Sequence, residues 1–327
     1  MDQKKKTIGN RVLGLVTNES LGSAFLVLIM AIIMIICTDK FLTGINITNV
    51  LRQSSFYIII ALGGVCVIVV GELDLSVGST MGIAGMVAAQ MAAFTQVHTL
   101  FVFIICILIG VAVGVVNGYL IGYMGLPSFI VTLGMQLMLR GLVTIISGGF
   151  PVTNLPKSFT DVGTSVWLKV PSPIYIAAAL CILTWFLFNR TLFGRHLYAC
   201  GSNKQAATVS GIAVKRVRLL AFVFCGALAA FSGILLTSRM MTGQVSTGTG
   251  YDLLSIAGIV IGGAAIGGGS GTVVGTIFGM LVINVLNNAM TLLGLNAYYT
   301  SATQGLIIIL AVMLDAGRHS LKNRIKS

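Results

Sequence analysis

Long apolar runs, separated by short polar or glycine-rich interruptions, follow one another along most of this chain. About 20 apolar residues in a helix cover the roughly 30 Å of bilayer hydrocarbon, and a helix meets its own backbone hydrogen-bonding needs there. The pattern predicts spans near 20–38, 54–71, 75–93, 99–121, 127–147, 173–188, 219–237, 253–268, 271–290 and 301–315, about ten in all. The predicted fold class is an all-α polytopic membrane protein, one transmembrane domain over residues 1–327 with tails at 1–19 and 316–327. Composition agrees, since 56% of residues are hydrophobic and only 9% charged, far from the usage of soluble domains. The basic opening MDQKKK precedes many spans and no small-residue cleavage pattern, so it reads as a tail and not as a removable signal.

Charge then orients the spans, because lysine and arginine gather in cytoplasmic loops. With the N-terminus inside, the inner pieces hold Lys4, Lys5, Lys6, Arg11, Arg190, Arg195, Lys204, Lys215, Arg216, Arg218, Arg318, Lys322, Arg324 and Lys326 out of 20 basic residues. An odd span count would put one terminal cluster outside, so the expectation is an even count with both termini cytosolic. The formal charge of +12 borders membrane segments and carries no interleaved aromatic platforms, which points to topology and anionic membrane lipid and away from nucleic acid. Six cysteines without C-x-x-C spacing read as reduced packing residues.

Forty glycines permit close helix contacts and mark helix breaks. The densest block begins at Ile259, where Gly267 to Gly271 forms either a tight turn between spans or a gating element. VNGYLIGYMGLPSF from Val116 and LNNAMTLLGLNAYY from Leu286 echo each other at chain reversals on opposite sides, as two inverted repeats require.

One long basic interruption, 189–218, contains SNKQAATVSGI from Ser202. Ser202 is a candidate N-cap, Gln205 would complete a capping box, and Gly211 offers a left-handed stop. Ala206 and Ala207 would give this short helix a smooth surface and Lys204 a charged rim. So small an element does not stabilise itself, and it reads as a knob entering a groove on a soluble partner.

These residues carry a resemblance that covers nearly the whole chain. GELDLSVGS from Gly71, LPSFIVTLG from Leu126, FGRHLYACGSNKQAATVSGI from Phe193, GTGYDLLSIAGIVIGGAAIGGGSGTVVGT from Gly248 and NNAMTLLGLNAYY from Asn287 resemble the membrane permeases of ribose-type monosaccharide ABC importers. Departures occur at Glu72, where many relatives are uncharged, and at Ala264 and Ala265. The resemblance implies a bacterial inner-membrane permease that pairs with a second permease subunit, expected to be an identical copy in a homodimer. It also implies an extracytoplasmic sugar-binding protein above and ABC ATPase subunits, which carry the ATP and magnesium, below. This chain would bind no cofactor or metal. Segment 189–218 becomes the coupling loop, with Gly194, Arg195, Ser202, Asn203, Lys204, Gln205, Ala206, Ala207 and Gly211 as the ATPase-coupling residues.

The absence of catalytic signatures fits a transport subunit. No lysine follows a glycine, so there is no P-loop, and neither H-E-x-x-H nor a nucleophile elbow occurs. Polar residues inside spans are costly and face a cavity or another helix. Gln90, Asn117, Gln136, Arg140, Asn284, Asn287 and Asn288 are thus candidates for the sugar path or for interhelical hydrogen bonds. Lys157, Arg239 and Asp252 are candidates for docking the binding protein by charge. Glu72 and Asp74 precede the third span, where Asp74 complements a helix N-terminus. The same two acids carry the alternative reading, a proton-coupled secondary transporter of a small polar solute.

Overall fold

The fold is taken from a computed structural model that describes residues 19–295, 299, 302–306, 308, 309 and 313. Helices fill the apolar runs: α1 (Glu19–Cys37), α2 (Gly44–Val69), α3 (Val77–Phe94), α4 (Thr99–Gly122), α5 (Ser128–Ser147), α7 (Ser172–Arg190), α10 (Val214–Met240), α11 (Tyr251–Ile261) and α12 (Val273–Leu292). Shorter helices α6 (Lys157–Thr164), α8 (Leu192–Ser202) and α9 (Lys204–Val209) lie in the connections, as does a hairpin of β1 (Val166–Trp167) and β2 (Val170–Pro171) paired antiparallel. Among the described residues, α2, α3, α4, α5, α7, α10 and α12 are long and apolar enough to cross a membrane, while 22–37 and α11 are shorter apolar helices. The predicted span 301–315 lies largely outside the described residues.

One end of the bundle carries α8, α9 and the first turn of α10, and with them Arg190, Arg195, Lys204, Lys215, Arg216 and Arg218. We call it the basic end; α6 and the hairpin lie at the far end. The centre is α10, packed against α2, α3 and α4. Its contact with α4 follows from glycines spaced four apart, Gly110, Gly114, Gly118 and Gly122, which share one helix face. A Cβ at these positions would collide with the backbone of Gly226, Phe222, Leu219 and Lys215 respectively. Two helices therefore meet backbone to backbone along three turns, the close approach that small residues permit in apolar surroundings. The described cysteines are all free, and Cys66, Cys106, Cys200 and Cys225 are buried.

The predicted span 253–268 is corrected. After α10 the chain turns at Met241 and runs without helix to Gly250, down the side of α3. Gly243 packs on Ala89 and Met86, Thr247 reaches Gly82, and Gly248 abuts Gly78. Beyond the bridge of Gly243 to Val152 the segment descends as successive turns over 245–250, with Thr247 N–H donating to Gln244 O and Thr249 N–H to Ser246 O, each at 3.1 Å. This re-entrant segment thus ends near mid-bundle, and the 11 residues of α11 suffice to complete the crossing, about 16 Å. Gly250 (φ 80°) starts α11, and Gly262 and Gly263 end it, so the stretch to 268 is turn and not helix.

At the basic end three chain segments converge without side-chain bulk. Gly269 N–H donates to Val69 O at 2.9 Å, Gly268 lies against Gly71 and Gly201, and a Cβ at Gly201 would strike Val69 O. Tyr198 Oη donates to Gly271 O at 2.6 Å. The glycine block from 267 to 271 is therefore a turn, and one seated directly on α8.

Candidate functional site

A cavity of about 330 Å³ opens in the far half of the bundle between α2, the end of α10 and α12, its lining including Asn49, Gln53, Tyr57, Arg239, Asn287 and Gln304. Three turns of α2 bring Asn49, Gln53 and Tyr57 to one face by their four-residue spacing. Arg239 Nη1 donates to Gln53 Oε1 at 3.2 Å, and Gln53 Nε2 donates to Tyr251 Oη at 3.2 Å. Tyr251 stacks on Tyr57 with centroids 4.4 Å apart and planes 5° from parallel. Asn287 Oδ1 accepts from Gln304 Nε2 at 3.1 Å. The lining offers amides, the Tyr57 phenol ring and one guanidinium, and no carboxylate among the described residues.

The sequence-predicted path residues divide here. Asn284, Asn287 and Asn288 line this cavity, but two of them are engaged in packing. Asn284 Nδ2 donates to Val50 O at 2.8 Å and to Ser54 Oγ at 2.7 Å, while Asn288 and Asn46 exchange amide hydrogen bonds at 2.8 and 3.1 Å. Asn117 is fully buried and donates to Ser76 Oγ at 2.9 Å. Gln90 donates to Ile146 O at 3.2 Å near a separate far-end recess.

Gln136 and Arg140, one helical turn apart on α5, hold the re-entrant segment and the start of α11. Arg140 Nη1 donates to Val245 O at 3.1 Å and to Thr247 O at 2.9 Å. Gln136 donates to Asp252 Oδ2. Turn carbonyls that lack a backbone partner are thereby satisfied by a cation, which apolar surroundings demand.

Two docking assignments are corrected by this geometry. Asp252, 4% exposed, lies in the first turn of α11 at mid-bundle, and Arg239 is half-buried in the cavity, 5.7 Å over the Phe56 ring. Neither is on an outer surface. Lys157, at the start of α6, is exposed.

The basic loop folds as two helices. Ser202 ends α8 and caps nothing at α9; Asn203 is the N-cap, its Oδ1 accepting from Ala206 N at 2.9 Å. The expected capping box is therefore absent. Gly211, at φ 80°, does provide the left-handed stop. Ala207 is 4% exposed and faces the bundle, so it is no part of a smooth outer surface. Gly194 is also buried, its Cα against Phe188 O and Leu187 O where α7 meets α8. Arg195, Asn203, Lys204, Gln205 and Ala206 are exposed, as is Val209 at 91%. Glu72 pairs with Arg218, and Asp74 Oδ1 accepts from Ser76 N at 2.8 Å and Ser76 Oγ at 2.6 Å just ahead of α3.

Gln53, Tyr57 and Tyr251 escaped the sequence reading. The polar spacing Asn46, Asn49, Gln53 was the available signal, hidden because the apolar run proper begins only at residue 54.

Residues 46–312 match the family described as branched-chain amino acid transport system / permease component. The chain belongs to this permease family. The permease is 36% identical over 296 residues to the ribose import permease protein of Escherichia coli strain K12, covering 89% of this chain and 92% of that protein. It is 37% identical over 299 residues to the ribose import permease protein of Bacillus subtilis strain 168 (91% and 92%). It is 33% identical over 304 residues to the L-arabinose transport system permease protein of E. coli K12 (92% of each). No solved structure matches the permease. With the family and seven spans of membrane-crossing length, it is a multi-pass membrane protein and a transport component.

Proposed function

We propose that this permease forms the translocation pathway of an ATP-driven importer for a monosaccharide, a ribose-like pentose or a related sugar, in the bacterial inner membrane. The observation that carries the reading is the amide-lined cavity. Asparagine and glutamine both donate and accept hydrogen bonds, as hydroxyls do, and the Tyr57 ring, held by its stack on Tyr251, adds an apolar surface to the lining. An amino-acid ammonium would find no carboxylate in the lining. The names of the ribose and L-arabinose relatives point the same way.

In this reading the far end faces outward and receives sugar from an extracytoplasmic binding protein, with Lys157 as a docking charge. Both termini are cytosolic, and ten spans form two inverted repeats. Support for the repeats comes from the left-handed glycines that follow α4 and α12, Gly125 (φ 76°) and Gly294 (φ 69°), at opposite ends of the bundle. A second copy of the chain completes the pathway. The ABC ATPase, which holds ATP and magnesium, binds the exposed face of α9, where Val209 and Ala206 form the knob. Force enters at α9, passes through α8 to the glycine contact with Val69 and Gly71, and reaches the α2–α3 break. Glu72 and Asp74, which proton coupling would need, are already engaged by Arg218 and Ser76.

The test is uptake into vesicles containing the permease, its ATPase and its binding protein. ATP-dependent accumulation of a labelled pentose is expected, with no accumulation of leucine. Ala206→Trp should keep the permease inserted and uncouple hydrolysis from uptake. Uptake driven by a proton gradient by the permease alone would defeat the proposal.

A further inference from the structure

At the basic end, apart from the sugar cavity, a recess of about 540 Å³ opens between the α4–α5 turn, α9 and the start of α10. Lys204, Lys215 and Arg216 line it, and none of the three has an ion pair among the described residues; Arg218, on the same wall, is held by Glu72. The N-terminus of α10 contributes to this wall. Ala213 gives it no side-chain cap and its first turn holds no acidic residue, so the helix dipole adds to the positive field. A cavity lined by so much uncompensated positive charge fits an anion.

The other wall identifies the source of that anion. Tyr123 lines the recess and stacks on Tyr119 with centroids 5.6 Å apart. Both rings are exposed, and so are Met124, Leu126, Phe129 and Ile130 around them. Exposed tyrosines at the end of an apolar helix stand at the level of the lipid headgroups. The exposed apolar residues beyond them face acyl chains. The recess is thus basic inside and continuous, across Tyr123 and Met124, with the lipid-facing surface of α4 and α5.

The geometry points to a binding site for an anionic phospholipid, its phosphate among Lys204, Lys215 and Arg216 and its acyl chains along the ends of α4 and α5. A lipid seated there bridges the α4–α5 turn to the α9–α10 junction. Basic pockets between membrane helices bind anionic headgroups for the same electrostatic reason.

The test is native mass spectrometry of the full-length permease from nanodiscs of phosphatidylethanolamine with a minor fraction of phosphatidylglycerol. Each basic residue near an anionic surface contributes about fivefold in affinity, so K215Q/R216Q should lower retention of phosphatidylglycerol about 30-fold. Arg190→Gln, at the same end but outside the recess, should leave it unchanged. The single variant Lys215→Gln, expected to lose about fivefold, replaces the double variant if the latter melts early. Equal loss in Arg190→Gln would mean general surface attraction and overturn the site. Unchanged retention in K215Q/R216Q would overturn it as well. Displacement of the lipid by soluble glycerol phosphate as readily as by phosphatidylglycerol would assign the recess to a free anion instead. Loss of ATPase association with lipid retention intact would assign it to a protein partner.

Discussion

Replacing Arg140 with alanine should release the re-entrant segment while leaving the bundle standing. The guanidinium meets the carbonyls of Val245 and Thr247 at 3.1 and 2.9 Å, and no other hydrogen bond is found to either oxygen among the described residues. A fully buried acceptor left unmet costs about 1–3 kcal/mol, so for Val245 and Thr247, which are half-buried, about 2–6 kcal/mol is an upper range. Membrane bundles offer substitute partners that pull such costs down, so about 2–3 kcal/mol is expected. At about 1.4 kcal/mol per tenfold, the open population of the segment rises roughly 30- to 140-fold. Hydrogen–deuterium exchange of peptides covering 241–250, measured in nanodiscs, reads this population directly, because local opening sets the exchange rate. Peptides from α4 and α10 should exchange as before, and Arg140→Lys, which keeps a donor on a shorter stem, should recover part of the protection. Unchanged exchange at 241–250 in Arg140→Ala would show that the segment is held by its packing on α3 and that the argument from its carbonyls is wrong.

Three further outcomes follow from the packing and the charges. Gly226→Ala puts a methyl into the Gly110 backbone and should cost about 1–3 kcal/mol, read as a lower thermal midpoint. Gly134→Ala on α5 meets nothing within 4 Å and should be neutral or raise stability by up to about 1 kcal/mol; a drop equal to that of Gly226→Ala would remove the distinction. Arg218→Gln leaves Glu72 unpaired at 9% side-chain exposure and should cost about 3 kcal/mol, most of it recovered in the double variant with Glu72→Gln, and equal melting of single and double variants would refute the pairing. Gln53→Ala breaks the Arg239–Gln53–Tyr251 chain and should raise the transport KM with little change in melting, so an unaltered KM would take Gln53 out of the sugar path.

The long spans were legible because twenty apolar residues leave the backbone no choice but helix. The re-entrant segment was not, since apolar content alone does not separate an 11-residue half-crossing followed by a glycine turn from a full span. Gly243, Gly248, Gly250 and Gly262 were the punctuation that distinguished them. At the basic loop, Ser202 and Asn203 are both good caps. The choice fell to Asn203 because α8 runs on through Ser202, a helix hidden within what looked like an irregular basic stretch. Charge misled at Arg239 and Asp252, where apolar neighbours bury side chains that a loop assignment had exposed. Gln136 and Arg140 stand among seven polar candidates in the sequence, and their partners, distant carbonyls and Asp252, are set only by tertiary contact.

The glycine seam between α4 and α10 makes the two helices a single plank. Backbones this close do not swivel past one another, so a push arriving at the foot of α10 tips α4 by the same angle. Under the proposed coupling, the few residues from Ser210 to Ala213 join α9 to this plank and are one place where the two can bend relative to each other.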